Sequence, residues 1–416
     1  MRSTRLIIRQ LFSCLFVLVA FYPASVLADD LDAIVIPSLM DQQLDAWYRV
    51  PLNSGPRIQK ADKVTHGQTF MLLTFFKGYT TDKDNHIHLR YDVQIYGPDG
   101  KPTEDKGVDM EVYKGPAGNS NALMLNRQYM LITFTDAYPV GTYSIKMTGY
   151  DKVENTSVVK ETTIELVPFS LGEAFPSIKE VGSWMMAYYK SPEPMRSIQA
   201  IRASMKTETK WLNKNMNVAT FFMYVFSNNS FLSHYIVKHM KNFSLEDRKK
   251  LLLIAVLSGD DVLTQALLDT GDLDEIHDYA KGIKLPEKSE VVRHAAYLDV
   301  YWSEFLATGR YEPIKKIVGA LALHQYKGSI EQYKATSDEE RTDALKEKTY
   351  FEAVYQSAVW SLISNSKQMP QVFKYCVFIY QNEKLEEGVK KELGVLLSIV
   401  QQEMKKTRSA EKQKVS

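Results

Sequence analysis

The sequence predicts a multidomain chain, β then α: an N-terminal antiparallel β-sandwich followed by an all-α superhelical or multi-helix domain. Three observations carry this. Between residues 68 and 167, short apolar-rich runs of strand length alternate with turn chemistry. From about 178 to 405, apolar residues recur at three- and four-residue spacing instead. The change of period falls within 168–182, a stretch interrupted by Gly172 and Pro176, and it marks the domain boundary.

The chain has 416 residues, and the first 28 read as a cleaved secretory signal. Arg2, Arg5 and Arg9 form a basic start, residues 11–22 are almost unbroken apolar, and Val26-Leu27-Ala28 precedes Asp29 as a cleavage site. The apolar run is too short to span a bilayer, which needs about 20 residues. Cys14 follows Leu11-Phe12-Ser13, but most of the apolar run comes after it, so lipidation there is not expected. Removing the signal leaves 48 basic against 50 acidic residues. A near-neutral chain excludes nucleic acid or an anionic membrane as the main partner. The remaining cysteine, Cys376, sits in the apolar run YCVFIY and reads as a buried structural thiol. With no internal disulfide, the protein must rely on ordinary hydrophobic cores. The expected organisation is 1–28 signal, 29–168 β-sandwich, 169–180 linker, 181–405 helical domain and 406–416 a disordered basic tail.

In the first half, residues 34–36 and 47–50 read as short strands, with a turn at 53–56. Seven further strands are expected at 69–77, 88–96, 108–113, 122–125, 128–135, 141–150 and 157–167. Gly97-Pro98-Asp99-Gly100, Gly115-Pro116-Ala117-Gly118 and Tyr138-Pro139-Val140-Gly141 supply turns between them. The strand-turn Tyr96-Gly97-Pro98-Asp99-Gly100-Lys101 and the segment 131–150, with Gly141-Thr142-Tyr143 opening a strand, resemble Ig-like or fibronectin-like modules of bacterial envelope proteins. The resemblance covers about 100 residues. It implies an Ig-like β-sandwich that presents a loop or face to a partner, or acts as a spacer, and it implies no ligand.

The linker is short and apolar, so the two domains are expected to touch. Trp184, Met185, Tyr188 and Tyr189 either make that contact or belong to the helical core. Helices are expected at 178–189, 192–207, 216–227, 229–241, 244–257, 260–269, 273–281, 289–307, 312–325, 338–363, 368–382 and 384–405. Ser244-Leu245-Glu246-Asp247 and Ser337-Asp338-Glu339-Glu340 each place a cap and acids where a helix dipole favours them. The clearest hairpin is 301–323, with Trp302, Phe305 and Leu306 on one face, Gly309 at a C-cap and Pro313 in the next first turn. Ile314, Ile317, Val318 and Leu321 then form a second buried face. Gly309-Arg310-Tyr311-Glu312 with Ile314 and Val318 loosely resembles a tetratricopeptide-repeat junction. The stretch 255–272 loosely resembles the helix-turn part of an ankyrin repeat. The two glycine landmarks, 259 and 309, lie 50 residues apart, which matches neither repeat period. Irregular stacked helix pairs are the expectation.

Few residues offer chemistry. The sequence lacks a nucleophile elbow, a phosphate-binding loop, a zincin motif and a cysteine pair. Asp82, Asp84, His86 and His88 could approach a metal from a turn and one strand face, although a solvated turn entering a strand explains them better. His234 and His239 are spaced for different sides of a helix, and His277, Asp278, Arg293 and His294 read as surface or helix-end groups. Glu304, between Trp302 and Phe305, is the one carboxylate in an aromatic setting. The 24 tyrosines suit helix seams, a protein interface or a sugar-stacking platform. No catalytic, cofactor-binding or metal-binding residue and no cofactor is assigned. The expectation is an exported, periplasmic or secreted, non-enzymatic protein that binds another envelope protein. One alternative is a glycan-active or peptidoglycan-active enzyme with an Ig-like accessory domain. Another is a structural subunit of a secretion or envelope-assembly complex.

Overall fold

A computed structural model describes residues 30–39, 42–49, 58–117, 123–212, 214–285 and 292–415. The signal segment with Cys14 and the turn at 53–56 lie outside them. The first half holds strands β1 (Asp32–Ser38), β2 (Lys63–Thr65), β3 (Thr69–Lys77), β4 (His86–Tyr96), β5 (Pro102–Pro116), β6 (Met124–Leu125), β7 (Met130–Thr133), β8 (Gly141–Asp151) and β9 (Thr156–Val167), and the helix α1 (Gln42–Arg49). One run orders β2-β9-β8-β4-β5, and the other pairs β3 with β1 on one side and with β6 and β7 on the other.

This is not the antiparallel Ig-like sandwich expected from the sequence. β2 pairs with β9 in parallel, which makes the sheet mixed. The two runs also do not end as separate layers. At one side Lys160 of β9 meets Asp32 of β1 at 2.7 Å. At the other, the amides of Arg127 and Gln128, between β6 and β7, donate to Val112 and Glu111 of β5 at 3.0 and 3.3 Å. The strands therefore curl as a half-barrel around one core, in which Leu72 and Phe76 of β3 face Tyr91, Val93, Ile145 and Met147. Gly149 of β8 makes the curl possible, because a Cβ there would lie 2.2 Å from the Phe76 ring. Asn126, fully buried, pins the open side. Its Oδ1 accepts from Thr74 N at 3.0 Å, and its Nδ2 donates to Gln128 O at 2.7 Å and to the Tyr91 hydroxyl at 3.0 Å.

Residues 47–50 were expected as a strand, but residues 42–49 form α1. Its acid and base four apart, Asp45 and Arg49, pair along the helix. Trp47 packs on Phe75 with ring centroids 4.9 Å apart. Met71, Leu73 and Phe75 point away from the barrel core and make a second small core with Leu44, Trp47 and Ile58. β3 is thus buried on both faces, which is why it reads as a continuous apolar run rather than an alternation.

The second half is helical: α2 (Ile178–Tyr188), α3 (Ser197–Ser204), α4 (Thr209–Leu212), α5 (Met216–Ser227), α6 (Phe231–Lys238), α7 (Leu245–Ser258), α8 (Asp261–Leu268), α9 (Asp274–Lys281), α10 (Ala295–Thr308), α11 (Tyr311–Gly319), α12 (Ser329–Ala335), α13 (Asp343–Gln368), α14 (Pro370–Asn382) and α15 (Glu387–Val415). α15 continues through the basic stretch that was expected as a disordered tail. Two adjoining cores organise these helices. One gathers Val181, Ile198, Phe221, Phe222 and Leu252, and the other Phe305, Ile314, Leu362, Tyr375 and Leu396. The 301–323 hairpin forms as expected at its turn: Gly309 closes α10 with φ of 67°, a left-handed cap that glycine takes without strain.

α12 is stabilised from a distance. Glu352 of α13, only 6% exposed, accepts the Ile330 amide at 2.7 Å. Burial alone would raise its carboxyl, but the amides of Ile330, Gly328 and Ser329, with Gln356, hold it below the usual 4.5.

The halves are joined at α11. Its first amide, on Tyr311, donates to Asp45 of α1 at 3.1 Å, so the acceptor at this helix start comes from the other half of the protein. Arg49 lies over the Tyr311 ring at 4.7 Å. Lys238 to Asp136 at 3.1 Å and Gln59 to Ser191 at 3.1 Å add two further links.

Asp45→Ala removes this cap and is expected to lower stability by roughly 0.5–2 kcal/mol, read as a lower urea midpoint with an unchanged slope. Glu352→Ala leaves buried amides unmet and is expected to cost roughly 1–3 kcal/mol. Because the folded carboxyl titrates below its unfolded value, its contribution is full above the usual 4.5 and is lost as pH falls through the folded value. Glu352→Gln should therefore lose more relative to wild type at about pH 7 than at about pH 3. Equal losses at the two pH values would refute that assignment.

Candidate functional site

Two depressions lie on the described surface. The larger, about 670 Å³, is an open groove between α14 and α15. The α15 helix buries Leu393, Leu396, Leu397 and Val400 in the core, yet its outward strip also carries Val395 and Ile399, 53% and 37% exposed. These two are four residues apart and share a face with Lys391. Tyr380 of α14 forms the opposite wall and rests against Gly394, where a Cβ would meet its ring at 3.2 Å. Lys390 sits 5.5 Å from the centre of the same ring. Lys390, Lys391 and Glu387 line the groove beside these apolar residues. The groove therefore combines an apolar floor with a mainly basic rim.

The smaller depression, about 180 Å³, lies where the two halves meet. Ser38 at the end of β1 and Leu39 after it, Thr69 and Phe70 of β3, and Leu131 of β7 form the sheet side. The helical side is made by the ends of α2, α5 and α10, at Tyr188, Asn228 and Asn229, and Thr308. Among the described residues its lining carries no charged side chain, but the Arg310 guanidinium donates to Asn228 Oδ1 at 2.9 Å. The C-terminal ends of three helices meet there. Asn228 and Asn229 are already committed through their amide nitrogens, which donate to Tyr224 O and Val225 O at 2.7 and 2.8 Å. Tyr188 is 1% exposed, and its hydroxyl is enclosed beside the Asn229 side chain.

The residues singled out in the sequence are placed elsewhere. Asp82 accepts the amides of Asp84 and His86 at 2.9 Å each and so closes a turn into β4. His86 and His88 do share the outward face of β4, but among the described residues no group of three or more such side chains could hold a metal. Burial lowers the His88 imidazole, with Lys114 and Arg90 adding to the effect. Glu304 is half-buried beside Tyr224, whose hydroxyl is pushed up by burial first and by Glu304 next. Cys376 is fully buried, and its thiol is pushed up to about 12 by that burial. His294 caps α10, accepting the Ala296 amide at 3.2 Å. Trp184, Met185 and Tyr188 belong to the first helical core and Tyr189 to the second, while Tyr188 also borders the cleft. Of the fourteen helical-half tyrosines, Tyr188, Tyr189, Tyr301, Tyr311, Tyr355 and Tyr375 are buried and fill seams. Around Tyr311, the hydroxyl donates to Glu383 at 2.7 Å, and Lys315 reaches the same carboxylate at 2.9 Å. These two bonds hold Glu383 below its usual range.

No helix among the described residues is long and apolar enough to cross a membrane. No family model matches the chain, and no curated protein matches it. Among solved structures, a family 123 glycoside hydrolase from Clostridium perfringens is similar over 39% of this chain and 32% of its own, with 8% identity and a TM-score of 0.21. A family 76 glycoside hydrolase from a bovine Bacteroides thetaiotaomicron strain is similar over 80% of this chain and 76% of its own, with 10% identity and a TM-score of 0.15. Similarity at that level leaves fold and activity to be argued from the molecule itself.

Proposed function

We propose that this chain is an exported, periplasmic binding protein without catalytic activity, and that it docks a partner protein in the groove between α14 and α15. The observation that carries this is the exposed strip Val395–Ile399. A helix that has already buried one full apolar face has no structural need for a second. Open shape suits an extended or helical segment of another protein better than a small molecule. The lysines on the rim favour a partner whose apolar face is flanked by acidic residues.

Both side chains point to solvent, so changing them should spare the fold. Val395→Asp with Ile399→Asp is expected to abolish recovery of a specific envelope partner by the tagged protein, with the melting temperature held within a few degrees. A partner retained at wild-type level by the double variant would overturn the docking face. A second reading, a glycan-active protein, draws on the inter-domain cleft with its neutral, polar-edged wall. Glycoside hydrolysis needs two carboxyl groups about 5–10 Å apart across the bond. Release of reducing sugar from envelope glycans by the purified protein would establish that reading and displace the first.

A further inference from the structure

We propose that the partner taken by the groove between α14 and α15 is a second copy of this chain, with its own α15 laid antiparallel on the first across a twofold axis. This rests on the docking reading and names the occupant of that face.

The order of exposed residues along α15 points to it. Glu387 stands at the start of the outward strip, Val395 and Ile399 in its middle, and Lys405 and Lys406 beyond them; all five are exposed. A strip with an acid at one end and bases at the other complements itself only when the copy runs the other way. A parallel copy would set acid on acid and lysine on lysine. Reversal also places the two helix dipoles head to tail.

A register follows from the spacing. Bringing Glu387 opposite Lys405 of the second copy puts the twofold axis at Leu396, midway between them. Lys390 and Lys391 then face Gln402 and Gln401, so no like charges meet across the pair. Gly394 faces Ser398, and Ser398 faces Gly394, so small residues let the two helices approach closely. Val395 and Ile399 of both copies interleave beside that contact and cover one another, which removes their apolar surface from water.

Shape agrees with this. A twofold interface uses the same patch on both copies, so one patch must supply the ridge and the hollow together. Here Tyr380 walls the groove against Gly394, and the ridge Val395–Ile399 stands beside it on the same helix. From Glu387 to Lys405 the strip runs about 27 Å at 1.5 Å per residue. One helix pair of that length is smaller than the interface of an obligate dimer, so the association is reversible.

The test is sedimentation velocity of the purified protein across a concentration series up to about 100 μM, with charge-reversal variants. Wild type is expected to move from monomer to dimer over the series. Glu387→Lys and Lys405→Glu should each weaken the dimer about tenfold, because each sets like charges against one another twice per pair. The two changes together should return it to within about twofold of wild type, with all melting temperatures within a few degrees. Val395→Cys should form a covalent dimer under mild oxidation, with wild type, whose Cys376 is fully buried, as the blank. A dimer that persists unchanged in both single reversals would place the contact on another face and overturn the assignment. A wild-type chain that stays monomeric yet recovers a different envelope protein through Val395 and Ile399 would overturn self-pairing and leave the docking face standing. A monomer that recovers nothing would remove both.

Discussion

Trp47 of α1 lies on Phe75 of β3, and two residues earlier Asp45 takes the first amide of α11. That short helix joins the halves because β3 has no solvent face to offer. Its inward residues fill the half-barrel, and its outward residues Met71, Leu73 and Phe75 need a cover. Burying a large apolar side chain is worth about 1.5–3 kcal/mol, so three such residues left in water would be a serious loss for a domain of this size. α1 supplies the cover and, in doing so, brings its polar side to the start of α11. The β-part and the helical part are therefore in contact, as the short, apolar linker led one to expect, and α1 rather than the linker supplies the contact described here.

The same constraint explains where the sequence could be read and where it could not. Strand existence was legible from β3 to β9, because alternation and turn residues are local properties. Layer arrangement was not. A three-residue strand such as β2, paired in parallel with a segment about 100 residues away, leaves no periodic trace. The unbroken apolar run of β3 did carry a signal against an Ig-like sandwich, in which a strand covered on one side should alternate. Residues 47–50 were aromatic enough to suggest a strand. The competing helix signal, Leu44 and Trp47 on one face with Asp45 and Arg49 four apart, was present but short. α12 went unrecognised because the group that satisfies its start, Glu352, comes from another helix.

In the helical half, caps and spacing placed most helices, and Gly309 was read correctly as a turn residue. Tyr311 stood out there only as part of the repeat-like junction 309–312. It packs edge-on against Tyr375 at 5.4 Å and Phe378 at 5.8 Å, and it also carries the contacts to Asp45, Arg49 and Glu383. A single residue, through its ring and its backbone amide, thus serves the core and the junction between the halves. The sequence could show the first role, since the 3.6-residue period includes it. It could not show the second, because those partners lie 266 and 72 residues away.

The two depressions differ in the same way. The groove was legible in principle: the run Gly394-Val395-Leu396-Leu397-Ser398-Ile399-Val400 carries more apolar residues than one buried helix face can use. The cleft was not, since its wall is assembled from six separate chain segments, and only Tyr188 among them stood out as a contact residue. Its character follows from the way the halves dock. Three helices end against the edge of the curled sheet, and Arg310, just past the end of α10, donates to Asn228 at the end of α5 at 2.9 Å. What remains is a small, polar-edged recess beside an apolar strand, with the buried Tyr188 in its wall. The recess is thus a consequence of how the helices terminate, and its chemistry is set by the same junction that joins the halves.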